Sequence, residues 1–188
     1  STSFFPSKPL GGFGDGGALF TDADDLAEKF RQIRVHGQER KHHHPILGLN
    51  GRLDTMQAAT LLAIFEILPE EIQQRQAVAG RYNTLLAAVN IPDITAPFVA
   101  EESTSAYALY TILTEDRDAV QSRLEKADIP SAAYYAVPLH LQPVFRHLSH
   151  QKDDYPITEQ IAAQCLSLPM SPYLREEDQQ AVVEAMQS

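Results

Sequence analysis

Lys8 stands between two prolines and behind two phenylalanines, in Ser3-Phe4-Phe5-Pro6-Ser7-Lys8-Pro9-Leu10. Proline fixes its own φ and restrains the residue before it, so the backbone around this lysine is stiff. The neighbouring rings imply an apolar surround. Desolvation disfavours an ammonium and leaves the free amine, the form that attacks an aldehyde carbon. Ser3 and Ser7 add hydroxyls of the kind that hold a phosphate. The same residue types also fit an ordinary solvated loop lysine, and composition alone favours that reading.

Three other patterns invite a chemistry and fail on context. Gly12, Gly14 and Gly17 have the spacing of the dinucleotide fingerprint, but that motif follows a strand and opens a helix. Here a strand-like run, Ala18-Leu19-Phe20-Thr21, comes after it. His42-His43-His44, with His36 nearby, hints at a metal. Adjacent side chains rarely converge on one ion, and no carboxylate or cysteine is read as completing a set. No metal is therefore expected, and the run reads as a solvated, substrate-facing loop. Cys165, in Gln164-Cys165-Leu166-Ser167-Leu168, reads as part of a buried strand with no positive charge nearby to activate the thiol.

Charge and length narrow the class. The chain has 188 residues and a formal net charge of -10, which argues against binding nucleic acid or acidic membrane surfaces. A single cysteine excludes an internal disulfide and fits a reducing compartment. No apolar run nears the roughly 18 residues of a membrane span, and no signal peptide is visible, so a cytoplasmic location is expected. The chain begins Ser1-Thr2-Ser3 without Met, which raises the expectation of a cut or processed product.

These candidate residues need elements to position them. Residues 1–17 read as an ordered loop, followed by the short strand at Ala18–Thr21. A helix with Asp22 or a neighbour as N-cap then places Leu26, Phe30 and Ile33 on one face and stops at Gly37. Gln38–Gly51 reads as a polar, basic loop. Asp54 and Gln57 form a capping box for a helix over Thr55–Leu68 that is apolar nearly all round, as a buried or interface helix would be. Pro69 suits the first position of a new helix with Ile72, Ala79, Tyr82, Leu86 and Val89 on one face, the hinge between two bodies. Beyond Asn90 the pattern becomes short and interleaved. Strands are expected over Ser105–Thr114, Ser131–Val137 and Cys165–Pro169, and helices over Asp116–Ala127, Thr158–Gln164 and Glu176–Met186, in an α/β or α+β arrangement.

Taken in order, Ser3-Phe4-Phe5-Pro6-Ser7-Lys8 with Gly14-Asp15-Gly16-Gly17-Ala18 and Arg34-Val35-His36-Gly37 form the first blocks of a longer pattern. Gly48-Leu49-Asn50-Gly51-Arg52-Leu53-Asp54, Tyr134-Tyr135-Ala136-Val137-Pro138-Leu139-His140 and Cys165-Leu166-Ser167-Leu168-Pro169-Met170 complete it. The whole chain resembles the C-terminal half of the pyridoxal-phosphate-dependent aminotransferases that act on nucleotide-linked keto-sugars, the DegT/DnrJ/EryC1/StrS family. The resemblance implies an α/β fold, the C-terminal half of a fold-type I aminotransferase. Residues 1–66 would close the large cofactor domain and 67–188 would form the small domain. It implies that Lys8 holds pyridoxal 5'-phosphate and shuttles the proton, that Ser3 binds the cofactor phosphate, and that Asn50 reaches the same phosphate across a homodimer. Arg52 becomes a clamp for a substrate carboxylate, or equally an interface ion pair. Tyr134, Tyr135 and His140 fall where the family meets the sugar nucleotide. Ala136 stands where a proline is usual, and Tyr134 where relatives often have His. Within the family the look is that of enzymes aminating C3 of a UDP-linked keto-uronate, with glutamate as donor, for surface polysaccharide. The family's glycine turn, stacking aromatic and ring-nitrogen aspartate belong to an N-terminal half and are not identifiable here. This chain alone is therefore expected to be inactive. The alternative is a catalytically silent module for dimerisation or sugar-nucleotide binding.

Overall fold

The computed structural model describes residues 1–89, 91 and 93–187; Asn90, where the sequence pattern changes, lies outside the described residues. The chain divides into two compact units, Ser1–Pro69 and Glu70–Ser188.

In the first unit, strand β1 (Thr2–Ser3) pairs antiparallel with β2 (Gly17–Ala18), Thr2 opposite Ala18 and Ser3 opposite Gly17. The intervening loop is tied by backbone bonds: Phe4 N–H to Gly16 O at 2.8 Å, Lys8 N–H to Phe5 O at 2.9 Å and Gly12 N–H to Phe4 O at 2.8 Å. The strand expected over Ala18–Thr21 is thus two residues, Gly17–Ala18, and Leu19 and Phe20 are exposed. Helix α1 (Asp24–Ile33) has Ala23, the neighbour of Asp22, at its N-cap position, with no side-chain cap bond. The Thr21 hydroxyl accepts the Ala23 amide at 3.1 Å, so a hydroxyl just upstream organises the turn. Gly37 at φ +71° marks the end of the turn after α1, and a Cβ there would lie 1.8 Å from Ile46 O. Only glycine fits that approach. The segment after the histidine run returns along the one that leaves α1, with Val35 bridged to Asn50.

Helix α2 (Thr55–Val89) departs from the sequence reading twice. Pro69 lies inside it rather than opening a new helix. A proline removes one donor from the ladder, which destabilises a helix but does not forbid it where the flanking turns continue. Gln57 is not the partner in a capping box, because its Oε1 accepts the Phe13 amide at 2.7 Å. The competing partner is 44 residues away in sequence and invisible to a local motif. The early part of α2, apolar on every side, leaves Met56, Leu62, Phe65 and Ile67 exposed and buries Leu61.

The second unit holds a three-stranded antiparallel sheet in the order β3 (Ile94–Thr95), β4 (Tyr110–Thr114), β5 (Cys165–Leu168). Antiparallel pairing makes this unit α+β, and the strand at Ile94–Thr95 was not anticipated. Helices α3 (Arg117–Lys126), α4 (Pro156–Gln164) and α5 (Glu176–Gln187) match the expected helices to within two residues at each end. The core joins Val78, Ala79, Tyr82 and Leu86 of α2 to Tyr110 and Ile112 of β4, Leu124 of α3, Leu166 of β5 and Val183 and Met186 of α5. Tyr82 and Tyr110 stack with ring centroids 4.8 Å apart. Burial pushes both phenols well above their ordinary range, so each stays a neutral donor: Tyr82 to Pro169 O, Tyr110 to Asn83 Oδ1. Gln179, fully buried, donates to Val78 O and accepts from Arg81 Nε, which satisfies its amide on both sides. Cys165 is buried as expected.

Two expected strands are shorter. Within Ser105–Thr114 only Tyr110–Thr114 pairs, because Ser105 Oγ takes the Tyr107 amide in a local turn. Within Ser131–Val137 the pairing is confined to Ala132, whose N–H and C=O both bond Ser167, before the chain turns at Tyr134.

Candidate functional site

The candidate residues form two groups, one in each unit. In the first unit Ser3 and Lys8 share the β1–β2 excursion. The Lys8 turn is wrapped on buried Gly11, where a Cβ would lie 2.6 Å from Pro6 O and 2.9 Å from both Phe5 O and Lys8 O. That close approach keeps the turn tight and sends the Lys8 side chain outward, where it is exposed. The apolar surround expected for this lysine is not present among the described residues: Lys8 is exposed and Phe5 is itself 51% exposed. Ser3 Oγ accepts the Phe5 amide at 3.2 Å, which orients the hydroxyl on the same excursion.

Asn50 and Arg52 lie on the segment that returns past α1. Backbone bonds from Leu49 N–H to Ile33 O and from Gly51 N–H to Arg34 O, each 2.8 Å, fix this segment on both sides of Asn50. Asn50 itself is exposed. Arg52 Nη1 donates to His36 Nε2 at 3.3 Å. A guanidinium has no acceptor, so His36 Nε2 must be unprotonated, with the ring proton on Nδ1. His36, with φ +62°, thereby orients Arg52, a role the sequence reading missed. The neighbouring histidines are tied locally: His44 Nδ1 lies 3.0 Å from His36 O, and His43 Nδ1 lies 3.0 Å from Glu39. The sequence reading had overlooked Glu39 as a partner for this run; its spacing from His43, four residues, was the available signal.

The second unit carries Tyr134, Tyr135 and His140. Tyr134 and Tyr135 are 47% and 75% exposed and meet edge to face, at 5.5 Å between centroids. They line a cavity of about 440 Å³ together with Thr158, Ile161 and Ala162 of α4. His140 differs. It is the middle residue of a 3₁₀ turn (Leu139–Leu141), its side chain is only 8% exposed, and its Nε2 lies 3.0 Å from Glu159 Oε1. The ring also packs edge-on against Tyr155 at 4.8 Å. Partial burial pushes the Glu159 carboxyl up, but hydrogen bonds from His140 and the Asp153 and Tyr155 backbone outweigh it and hold it below the usual carboxylate range. Glu159 is thus an ionised acceptor, and His140 Nε2 carries the proton. No sequence motif announced Glu159, which lies 19 residues from its partner.

Comparison with known proteins identifies the family. Residues 1–187 match the DegT/DnrJ/EryC1/StrS aminotransferase family. The chain is 48% identical over 173 residues to the UDP-2-acetamido-2-deoxy-3-oxo-D-glucuronate aminotransferase of Pseudomonas aeruginosa, covering 92% of this chain and 46% of that protein. It is 38% identical to the dTDP-3-amino-3,4,6-trideoxy-alpha-D-glucose transaminase of Streptomyces venezuelae, over 98% of this chain and 48% of that one. Among solved structures it superposes on a Brucella abortus aminotransferase with a TM-score of 0.89 and 40% identity, over 98% of this chain and 49% of that one. On DesV of Streptomyces venezuelae the TM-score is 0.91 at 38% identity, over 97% of this chain and 49% of that one. The chain therefore spans about half the length of the relatives it matches, and its mixed helix-and-sheet fold is that of half an aminotransferase chain, as expected. The chain belongs to the DegT/DnrJ/EryC1/StrS aminotransferase family.

Proposed function

We propose that this chain is the C-terminal half, divided near residue 66, of a pyridoxal-phosphate-dependent aminotransferase that moves an amino group onto the keto group of a nucleotide-linked sugar. The observation that carries the reading is Lys8, an exposed amine on a turn wrapped around Gly11, within a family match running from residue 1 to 187. The donor set on this excursion suits an aldehyde bearing a phosphate: a primary amine for the carbonyl carbon and the Ser3 hydroxyl for the phosphate. A relative in Bacillus subtilis, 29% identical, has a structure with bound cofactor PMP.

Lys8 would hold the cofactor covalently, Ser3 would bind its phosphate, and Asn50 would reach the same phosphate from a second copy in a homodimer. When bound, the cofactor supplies an electron sink for the carbanion chemistry of amino transfer. Lys8 Nζ, once free, takes the Cα proton of the donor. Arg52, aimed by His36, clamps a carboxylate with its planar fork. Tyr134 and Tyr135 present rings and hydroxyls to the sugar nucleotide, and His140 sets the turn that carries them. The resemblance to the Pseudomonas protein favours a UDP-linked 3-keto-uronate as acceptor, with glutamate as donor and surface polysaccharide as destination. Among the described residues no helix is long and apolar enough to cross a membrane, in keeping with a cytoplasmic enzyme. The stacking aromatic, the ring-nitrogen aspartate and the phosphate-binding turn would come from a segment outside these residues.

The test uses the full-length protein that carries this chain. It is loaded with pyridoxal phosphate, reduced with borohydride and mapped by peptide mass. The pyridoxyl group is expected on Lys8, and its appearance on another lysine would overturn the assignment. The 188-residue chain alone is expected neither to hold the cofactor tightly nor to convert it with glutamate. A saturable visible band that glutamate converts would show this half to be sufficient.

A further inference from the structure

We propose that Glu159 is a positioning residue for the Tyr134–Tyr135 cavity, acting through His140; this rests on reading that cavity as the sugar-nucleotide side. The segment bearing the two tyrosines is held at two points. Upstream, Ala132 exchanges two backbone bonds with Ser167 of β5, at 3.2 and 2.8 Å. Downstream, His140 Nε2–H donates to Glu159 Oε1 of α4 at 3.0 Å. Tyr134 and Tyr135 hang between these anchors.

The second anchor lies next in sequence to two residues that line the cavity. Leu139, on the segment with the tyrosines, and Thr158, on α4, both line it, and each is the immediate chain neighbour of one member of the pair. The His140–Glu159 bond therefore sets the spacing between the tyrosine wall and α4. Its two side chains are 8% and 14% exposed, so the bond is shielded from competing water. The same Glu159 oxygen accepts the Asp153 amide at 2.8 Å, which fastens the loop entering α4. Helix α4 is itself fixed to α3, because Arg117 Nη1 donates to Ala162 O at 3.0 Å. Glu159 thus transmits a rigid frame to a turn whose own tyrosines are exposed.

The experiment compares Glu159→Ala and Glu159→Gln in the full-length enzyme. Glutamine keeps a carbonyl oxygen for His140 and Asp153; alanine keeps none. Glu159→Ala is expected to raise KM for the sugar nucleotide by about tenfold, the scale of one lost charge-assisted hydrogen bond. KM for the amino donor and the rate of the donor half-reaction should stay within about twofold, and Glu159→Gln should restore most of the sugar-nucleotide KM. An unchanged sugar-nucleotide KM, or equal changes for both substrates, would overturn the proposal. A second readout needs no turnover. With fluorotyrosine incorporated, Glu159→Ala should shift or broaden the fluorine resonances of Tyr134 and Tyr135 while those of Tyr82 and Tyr110 stay in place. Unmoved Tyr134 and Tyr135 resonances would also overturn the proposal. If these resonances move but no sugar nucleotide is a substrate, the positioning role stands and the functional reading fails.

Discussion

The two units of this chain are built on different principles. Glu70–Ser188 has its own core, in which Tyr82, Tyr110, Ile112, Leu124 and Leu166 are wholly buried. Ser1–Pro69 buries one large apolar side chain, Leu61, and leaves Phe13, Phe20, Leu47, Met56 and Phe65 more than half exposed. Its order comes from backbone bonds: a two-residue hairpin, the turn around Gly11 and the return of Leu49–Gly51 along Ile33–Arg34. Exposed apolar side chains in such number fit the proposal that further protein covers this unit. The residues proposed for the chemistry, Lys8, Ser3, Asn50 and Arg52, all lie in the unit without a core. Stability and reactivity are thus separated along the chain, and each can be perturbed without the other.

The sharpest way to break that separation is Lys8→Ala. In the full-length enzyme it should lower amino transfer by at least about 10³-fold, as expected when a proton-transferring nucleophile is removed. In the 188-residue chain without cofactor the midpoint of thermal unfolding should stay within about 1 °C, because an exposed side chain contributes little to stability. Substantial residual transamination would remove the chemistry from the first unit.

Next in size is a pair of truncations in the 188-residue chain, read by urea unfolding. Leu124→Ala opens a cavity in the core of the second unit and should cost about 3 kcal/mol. Phe65→Ala, on the exposed early part of α2, should change stability by less than about 0.5 kcal/mol. A cost for Phe65→Ala comparable to that for Leu124→Ala, growing with protein concentration, would show that the first unit is covered by a second copy in solution.

A smaller effect is expected for Tyr82→Phe, which keeps the ring stack on Tyr110 and deletes only the bond to Pro169 O. The loss should be about 1 kcal/mol in the same measurement. No loss would mean that the Tyr82–Pro169 bond adds nothing net to the packing of the ring.

The smallest effect concerns acid. Hydrogen bonds from Arg175 hold the Asp178 carboxyl below its usual range. Glu159 is also held low, because hydrogen bonding there outweighs a burial that pushes it up. A carboxyl depressed in the folded state stabilises above its unfolded range, and that stabilisation is lost as pH falls through the folded value. The urea midpoint of the second unit should therefore decline as pH drops from about 5 to about 3. Glu159→Gln should make that decline shallower.

Much of the second unit could be read from local signals. α3, α4 and α5 are short segments whose own composition and flanking residues define them, and β5 is an apolar run bounded by Pro169. The errors had more than one source, and a partner distant in sequence accounts for the first of them. Gln57 was assigned to its own helix end and instead binds the Phe13 amide. Ser131–Val137 has the composition of a strand, but its pairing stops after Ala132. Pro69 was read as a helix start, yet α2 continues through it.

The order of the motifs, the Lys8 turn bounded by prolines and the lone buried Cys165 were determined by the sequence itself. They depend on covalent order, backbone restraint and hydrophobicity, all of which are local properties. Tertiary structure alone decided that His36 aims Arg52, that Glu159 holds His140, and that Tyr134 and Tyr135 face open space while His140 does not. A hydrogen bond needs two groups within about 3 Å, and chain separation says nothing of that distance until the sheet and helices have packed.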